Sequence, residues 1–246
     1  MDDRFSRTEI LLGKSALNKL NNSRVAVFGL GGVGGYAVEI LARSGVGALD
    51  LIDNDVISLS NINRQILATE KTVGRFKTDV AKERILEINP DCKVTTYNTF
   101  FLADTKGLFD FKNYDYVVDA IDTITGKKEI ILSAKEAGVP VISSMGTGNK
   151  LDPTAFKVAD IYKTSVCPLA KVMRGICRKN GIEKLKVVYS QEKPVKPSGE
   201  AKEKLRGDLQ EGKKDLRKDV PASVSFTPAA AGIILASEVI KDLISL

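Results

Sequence analysis

The sequence has no histidine, no tryptophan and only three cysteines, Cys92, Cys167 and Cys177, in 246 residues. Without histidine, imidazole acid–base catalysis, Ser-His-Asp triads and histidine-ligated zinc are excluded. Three cysteines with no Cys-x-x-Cys pair provide neither a disulfide framework nor a four-cysteine zinc site. Long apolar runs are missing as well. The most apolar stretch, Ala229 to Ala236, is soon interrupted by Ser237, Glu238 and Lys241, whereas a bilayer crossing needs about 20 residues. The start, Met1-Asp2-Asp3-Arg4, is acidic and lacks the apolar segment of a secretory leader. These absences predict a cytoplasmic protein of a reducing compartment, with no membrane span and no zinc.

What is present is ordinary for a globular domain: 43% hydrophobic and 28% charged residues. A chain of this length can bury its own core without covalent staples. Lysine and arginine exceed aspartate and glutamate by 37 to 31, giving a net charge of +6. A surplus of five lies between Arg178 and Asp219. That stretch suits a polyanionic partner but equally suits a solvated surface.

Short apolar runs at Val25–Phe28, Ala48–Ile52, Lys93–Tyr97, Tyr116–Ala120 and Val141–Ser143 read as strands. Helical spacing over Ala37–Ala42, Thr78–Ile88 and Lys127–Ala137 separates them. Strand and helix alternating at this interval predict an α/β, Rossmann-like, doubly wound and mostly parallel sheet. Phe156–Asp160 adds an antiparallel extension, and Pro168–Arg178 reads as a helix with proline in its first turn. The expected organisation is one domain over 1–246. It has an N-terminal helical arm (1–24), a nucleotide-binding core (25–160), a basic polar excursion (178–219) and a closing helix (228–246).

The loop Gly29-Leu30-Gly31-Gly32-Val33-Gly34-Gly35 follows the first strand and opens a helix, the context that gives a G-x-G-x-x-G match its meaning. Gly29 allows the tight turn, Gly31 lets backbone approach a phosphate, and Gly34 permits close helix–strand packing. Asp53, at the end of the second strand, is placed to accept ribose hydroxyls. Nicotinamide dehydrogenases share this fingerprint. They have no need, however, of the dense polar patch that follows, Ser58-Leu59-Ser60-Asn61-Ile62-Asn63-Arg64-Gln65 and then Gly74-Arg75-Phe76-Lys77. An enzyme that attacks an α-phosphate does need it, because charge grows on oxygen there and fixed cations stabilise it.

These stretches, with Arg4-Phe5-Ser6-Arg7, Ile52-Asp53-Asn54-Asp55, Ile88-Asn89-Pro90 and Asp119-Ala120-Ile121-Asp122, make the sequence resemble the ubiquitin-activating-enzyme-like adenylyltransferases. Within that superfamily it is most similar to the tRNA threonylcarbamoyladenosine dehydratase family. The resemblance implies an ATP-binding adenylating domain in which Gly29, Gly31, Gly32 and Gly34 form the phosphate loop and Asp53 binds the ribose. It places Asp55 beside them, and Asn61, Asn63, Arg64 and Lys77 around the triphosphate. Arg64 and Lys77 are implied as electrostatic catalysts and Asp122 as the ligand of Mg²⁺. Arg7 is implied to reach the partner subunit's ATP in a homodimer.

The implied reaction activates the carboxylate of threonylcarbamoyladenosine in tRNA as an acyl-adenylate, with release of pyrophosphate. The neighbouring carbamoyl group then closes the ring and AMP leaves. Intramolecular attack needs no enzyme nucleophile. Some members carry a cysteine where this sequence has Val187, so Cys167 and Cys177 are expected to be packing or surface thiols. The alternative is activation of the C-terminal glycine of a small sulfur-carrier protein, against which the missing Cys₄ zinc pairs count.

Overall fold

The computed structural model describes residues 4–197, 199 and 221–246. Its first strand, β1 (Arg24–Phe28), is buried on both faces, so side chains alternate between two layers: Val25 and Val27 enter one core, Ala26 and Phe28 the other. The same alternation recurs on β4 (Tyr116–Asp119), with Val118 in the first core and Val117 in the second. Strands β2 (Ala48–Ile52), β3 (Lys93–Tyr97) and β5 (Val141–Ser144) pair in parallel with these, and β7 (Lys186–Ser190) continues the parallel set beyond β5. Strand β6 (Phe156–Asp160) is antiparallel to β7 and forms the edge, giving the order β3-β2-β1-β4-β5-β7-β6.

Two short helices, α1 (Ser6–Leu12) and α2 (Lys14–Asn21), precede the sheet. Helices α3 (Gly34–Arg43), α4 (Lys77–Ile88) and α7 (Phe226–Ile244) supply the first core through Ala37, Leu41, Val80, Ile85, Leu235 and Val239. Helix α5 (Ile124–Ala137) covers the opposite face, over an aromatic cluster of Phe28, Phe101, Phe109 and Phe111. Helix α6 (Pro168–Lys179) begins with its proline at the first position and buries Ala170, Met173 and Cys177. No helix among the described residues is long and apolar enough to cross a membrane.

The expected doubly wound sheet is present. One part of the sequence reading needs correction. The sequence of 178–219 reads as a polar excursion, yet residues 186–190 form an inner strand with Val187, Val188 and Tyr189 buried. The three apolar residues were too few, between flanking lysines and glutamates, to stand out as a strand. Lys186 is also not free surface charge: its ammonium lies 2.7 Å from Asp242 on α7. Residues 198 and 200–219 of the excursion lie outside the described residues.

Candidate active site

In the order β3-β2-β1-β4-β5, the chain direction of winding reverses between β1 and β4. Ligands of such sheets bind outside the carboxyl ends of the strands at that reversal. A cleft of about 630 Å³ opens there, lined by the glycine loop after β1, the turn after β2, residues 120–123 after β4 and residues 144–150 after β5.

The glycine loop is shaped by contacts that allow no side chain. Gly29 has φ +90° and lies against the main chain of Ala120, and a Cβ on Gly34 would fall 1.7 Å from the Gly29 carbonyl oxygen. At Gly31 a Cβ would meet only the Gln65 amide at 3.9 Å, so the space beside it is open to the cleft. Among the described residues no acceptor takes up the amide N–H groups of Gly31, Gly32 and Val33, which precede α3. Three free amides at a helix start form an anion cradle.

Asp53 is held by its neighbours. Its Oδ2 accepts from the Leu30 amide at 2.6 Å and its Oδ1 from the Asp55 amide at 2.8 Å. Each oxygen keeps a lone pair for a ligand hydroxyl. Burial pushes this carboxyl above the ordinary aspartate range, opposed by the Lys77 ammonium 3.9 Å away. Lys77, the first residue of α4, is 4% exposed and donates to Asp55 Oδ2 at 2.7 Å. Arg64 differs: it is half-buried and, among the described residues, bonded only to neutral acceptors, the Ser60 carbonyl at 3.0 Å and the Asn63 amide oxygen at 2.8 Å. Burial lowers its pKa, although a guanidinium stays charged at neutral pH. Asn61 caps the turn at 59–61, accepting from the Ser58 amide at 3.2 Å, and faces the cleft.

The cleft thus gathers Gly29, Gly31, Gly32, Asp53, Asp55, Asn61, Arg64, Lys77 and Asp122. Gly34 lies behind the loop. Asn63 is turned away, donating to the Ser223 carbonyl at 3.1 Å, and reaches the site only through Arg64. Arg7 is exposed on α1 and does not line its own chain's cleft. Among the described residues no cluster of three or more His, Cys, Asp or Glu side chains could hold a metal. A single carboxylate, Asp122, suits an ion that enters with a polyphosphate, because Mg²⁺ is commonly held by one or two carboxylates plus substrate phosphates.

The family model of the ThiF family matches residues 5–245. The chain belongs to the ThiF family. Within the family it is 44% identical to the tRNA threonylcarbamoyladenosine dehydratase of Bacillus subtilis, over 98% of this chain and 94% of that protein. The solved structure of Escherichia coli tRNA N6-threonylcarbamoyladenosine dehydratase in complex with ATP superposes with a TM-score of 0.85. It is 32% identical and covers 98% of this chain and 94% of that one. By contrast, the adenylyltransferase and sulfurtransferase UBA4 of Vanderwaltozyma polyspora is 37% identical over 60% of this chain, which is 34% of its own length.

Sequence reasoning missed part of this site. The segment after β5, Ser144-Met145-Gly146-Thr147-Gly148-Asn149-Lys150, and the start of α6, Cys167-Pro168-Leu169, close the far end of the cleft. The signal was available, since a glycine pair directly after a parallel strand lies on the ligand-binding edge. Phe100 and Phe101, after β3, were also missed; they line the other end. All three cysteines are buried, and burial pushes the Cys92 thiol up to about 11.

Proposed function

We infer that the protein is an ATP-dependent dehydratase of threonylcarbamoyladenosine in tRNA. The observation that carries this reading is the end-to-end match, 98% of this chain against 94% of a relative bearing that name, joined to a cleft equipped for adenylation. In the proposed reaction Asp53 accepts the ribose hydroxyls, while the amides of Gly31 and Gly32 bind phosphate oxygens. Arg64 and Lys77 face the α-phosphate, where the substrate carboxylate attacks and pyrophosphate departs. The carbamoyl group then attacks the activated carbonyl, giving up a proton as the ring forms and AMP leaves.

Arg64 is the better-placed electrostatic catalyst of the two, because no carboxylate in the described residues neutralises it. Mg²⁺, held through Asp122 and phosphate oxygens, would supply further charge neutralisation. The protein is proposed to act as a homodimer. Helix α1 buries none of its own residues, and exposes Ile10 and Leu11 by more than four-fifths beside Arg7, which suits a partner subunit.

The test is incubation with ATP and either modified tRNA or a sulfur-carrier protein, following AMP release and the mass of the tRNA nucleosides. Loss of one water from threonylcarbamoyladenosine, with one AMP per event, is the expected result. AMP formation only with the carrier protein would refute it.

A further inference from the structure

The described chain buries three lysines in or near the cleft, and two of them have carboxylate partners: Lys77 with Asp55, and Lys127 with Asp119. The third does not. Lys150 lines the far end of the cleft with 3% of its surface exposed, and its ammonium donates to one acceptor among the described residues, the main-chain carbonyl of Glu192. The Glu192 carboxylate accepts from the amides of Leu151 and Asp152 at 3.0 Å each and makes no close ion pair with the ammonium, favouring its charge only from a distance. Burial accordingly holds the Lys150 ammonium below the usual lysine range.

A buried cation without a close ion-pair partner is unfavourable, and one left with unused donors more so. Yet the loop fixes it there. Asn149 adopts a left-handed conformation (φ +58°), and it is clasped on both sides by Ala222, whose amide its side chain accepts at 2.9 Å and whose carbonyl its own amide reaches at 2.7 Å. The Val195 amide bonds the Asn149 carbonyl at 2.8 Å. The residues on either side of Lys150 are therefore tied down, and the ammonium is preorganised.

We propose that Lys150 binds the carboxylate of the threonylcarbamoyl group at the acyl end of the cleft. This rests on the dehydratase reading above. Along the carboxyl edge of the sheet, Asp53 follows β2 and Lys150 follows β5, three strand spacings or about 14 Å away. The glycine loop, which follows β1, and Asp122, which follows β4, lie between the two along that edge. The phosphate end already has Arg64, Lys77 and free amides, which leaves the other anion of the reaction for Lys150. Adenylation by ATP turns the carboxylate into a mixed anhydride, with loss of pyrophosphate, and removes its charge. The lysine therefore strengthens substrate binding rather than the later, ring-closing step.

The experiment compares wild type with Lys150→Met for binding of threonylcarbamoyl-modified tRNA, unmodified tRNA and ATP. The substitution should weaken modified tRNA by about 10–100-fold, the scale of a charge-assisted contact, with unmodified tRNA and ATP unchanged within twofold. Retained ATP binding certifies the fold; if Lys150→Met does not fold, Lys150→Gln carries the same comparison. Equal loss on both tRNAs would assign the lysine to backbone phosphate and overturn the proposal. A fall in ATP affinity, or no change on modified tRNA, would overturn it too. Wild-type protein that binds modified tRNA selectively but never dehydrates it would refute the dehydratase reading alone, with the lysine comparison still legible.

Discussion

Lys127→Met removes one half of a fully buried ion pair beneath the cleft. Asp119, at the end of β4, and Lys127, on α5, are both wholly buried. The ammonium bridges both Asp119 oxygens at 3.1 Å and donates to the Ser144 carbonyl at 2.7 Å, while Ser143 donates to Asp119 Oδ2 at 2.5 Å. Methionine fills a similar volume, so little is lost in packing. The loss comes from Asp119, left as a buried carboxylate with only the Ser143 hydroxyl and a 3.3 Å amide from Ile121. Stranding one partner of such a pair costs about 3–5 kcal/mol. In a chain of this size that is a fall in Tm of about 6–20 °C, at about 2–4 °C per kcal/mol. Urea unfolding followed by far-UV circular dichroism measures it, since the chain has no tryptophan to report by fluorescence. Lys127→Met/Asp119→Asn should recover part of the loss, because no charge is then stranded. A single-variant cost below about 1 kcal/mol, or a double variant as unstable as the sum of the singles, would refute the reasoning.

Arg64→Ala and Lys77→Ala should each lower adenylation by about 10²–10³, the scale for one preorganised donor; single-turnover rates check this, and ATP affinity should fall much less. Replacing Cys92, Cys167 and Cys177 together with alanine should leave most dehydration activity, measured by nucleoside mass. In the native protein a thiol reagent at pH 7.5 should label none of the three quickly, because they are buried and the Cys92 thiol sits near 11; rapid labelling before unfolding would contradict this. If the protein is the proposed homodimer with Arg7 acting across it, Arg7→Ala and Lys77→Ala should both be nearly inactive alone, yet co-refolding them in equal amounts should restore about a quarter of wild-type activity through mixed dimers with one intact site. No recovery, with mixed dimers confirmed by mass, would place Arg7 in its own subunit's chemistry or outside it.

Much of this architecture was legible because parallel strands buried on both faces read as unbroken apolar runs, as at Val25–Phe28 and Tyr116–Val118. The phosphate loop and Asp53 were legible because their spacing is tied to a strand–turn–helix unit. Strand β7 was not, since a five-residue strand beginning at Lys186 and ending at Ser190 carries only three apolar residues. The outward turn of Asn63 was equally hidden: its partner, the Ser223 carbonyl, is 160 residues away in the chain. Lys150 looked like any surface lysine, because nothing local says that Glu192 spends its carboxylate on two amides instead.

Helix α7 comes after every strand in the chain, yet it braces the loop near the beginning. A Cβ on Gly232 would fall 2.3 Å from the Val33 carbonyl oxygen, and Pro228 lies against Gly32. Synthesis runs at about 5–20 residues per second. Roughly 200 residues separate Gly34 from Gly232, so the phosphate loop waits about 10–40 s for its brace. Through that interval the apolar face of α3, including Ala37 and Leu41, has no cover from α7. A nascent chain in this state leaves that face without α7 and its phosphate loop without the brace. A chain ending before Phe226 is therefore expected to bind ATP more weakly than the full chain, and a translational pause there should lengthen the exposure of the α3 face.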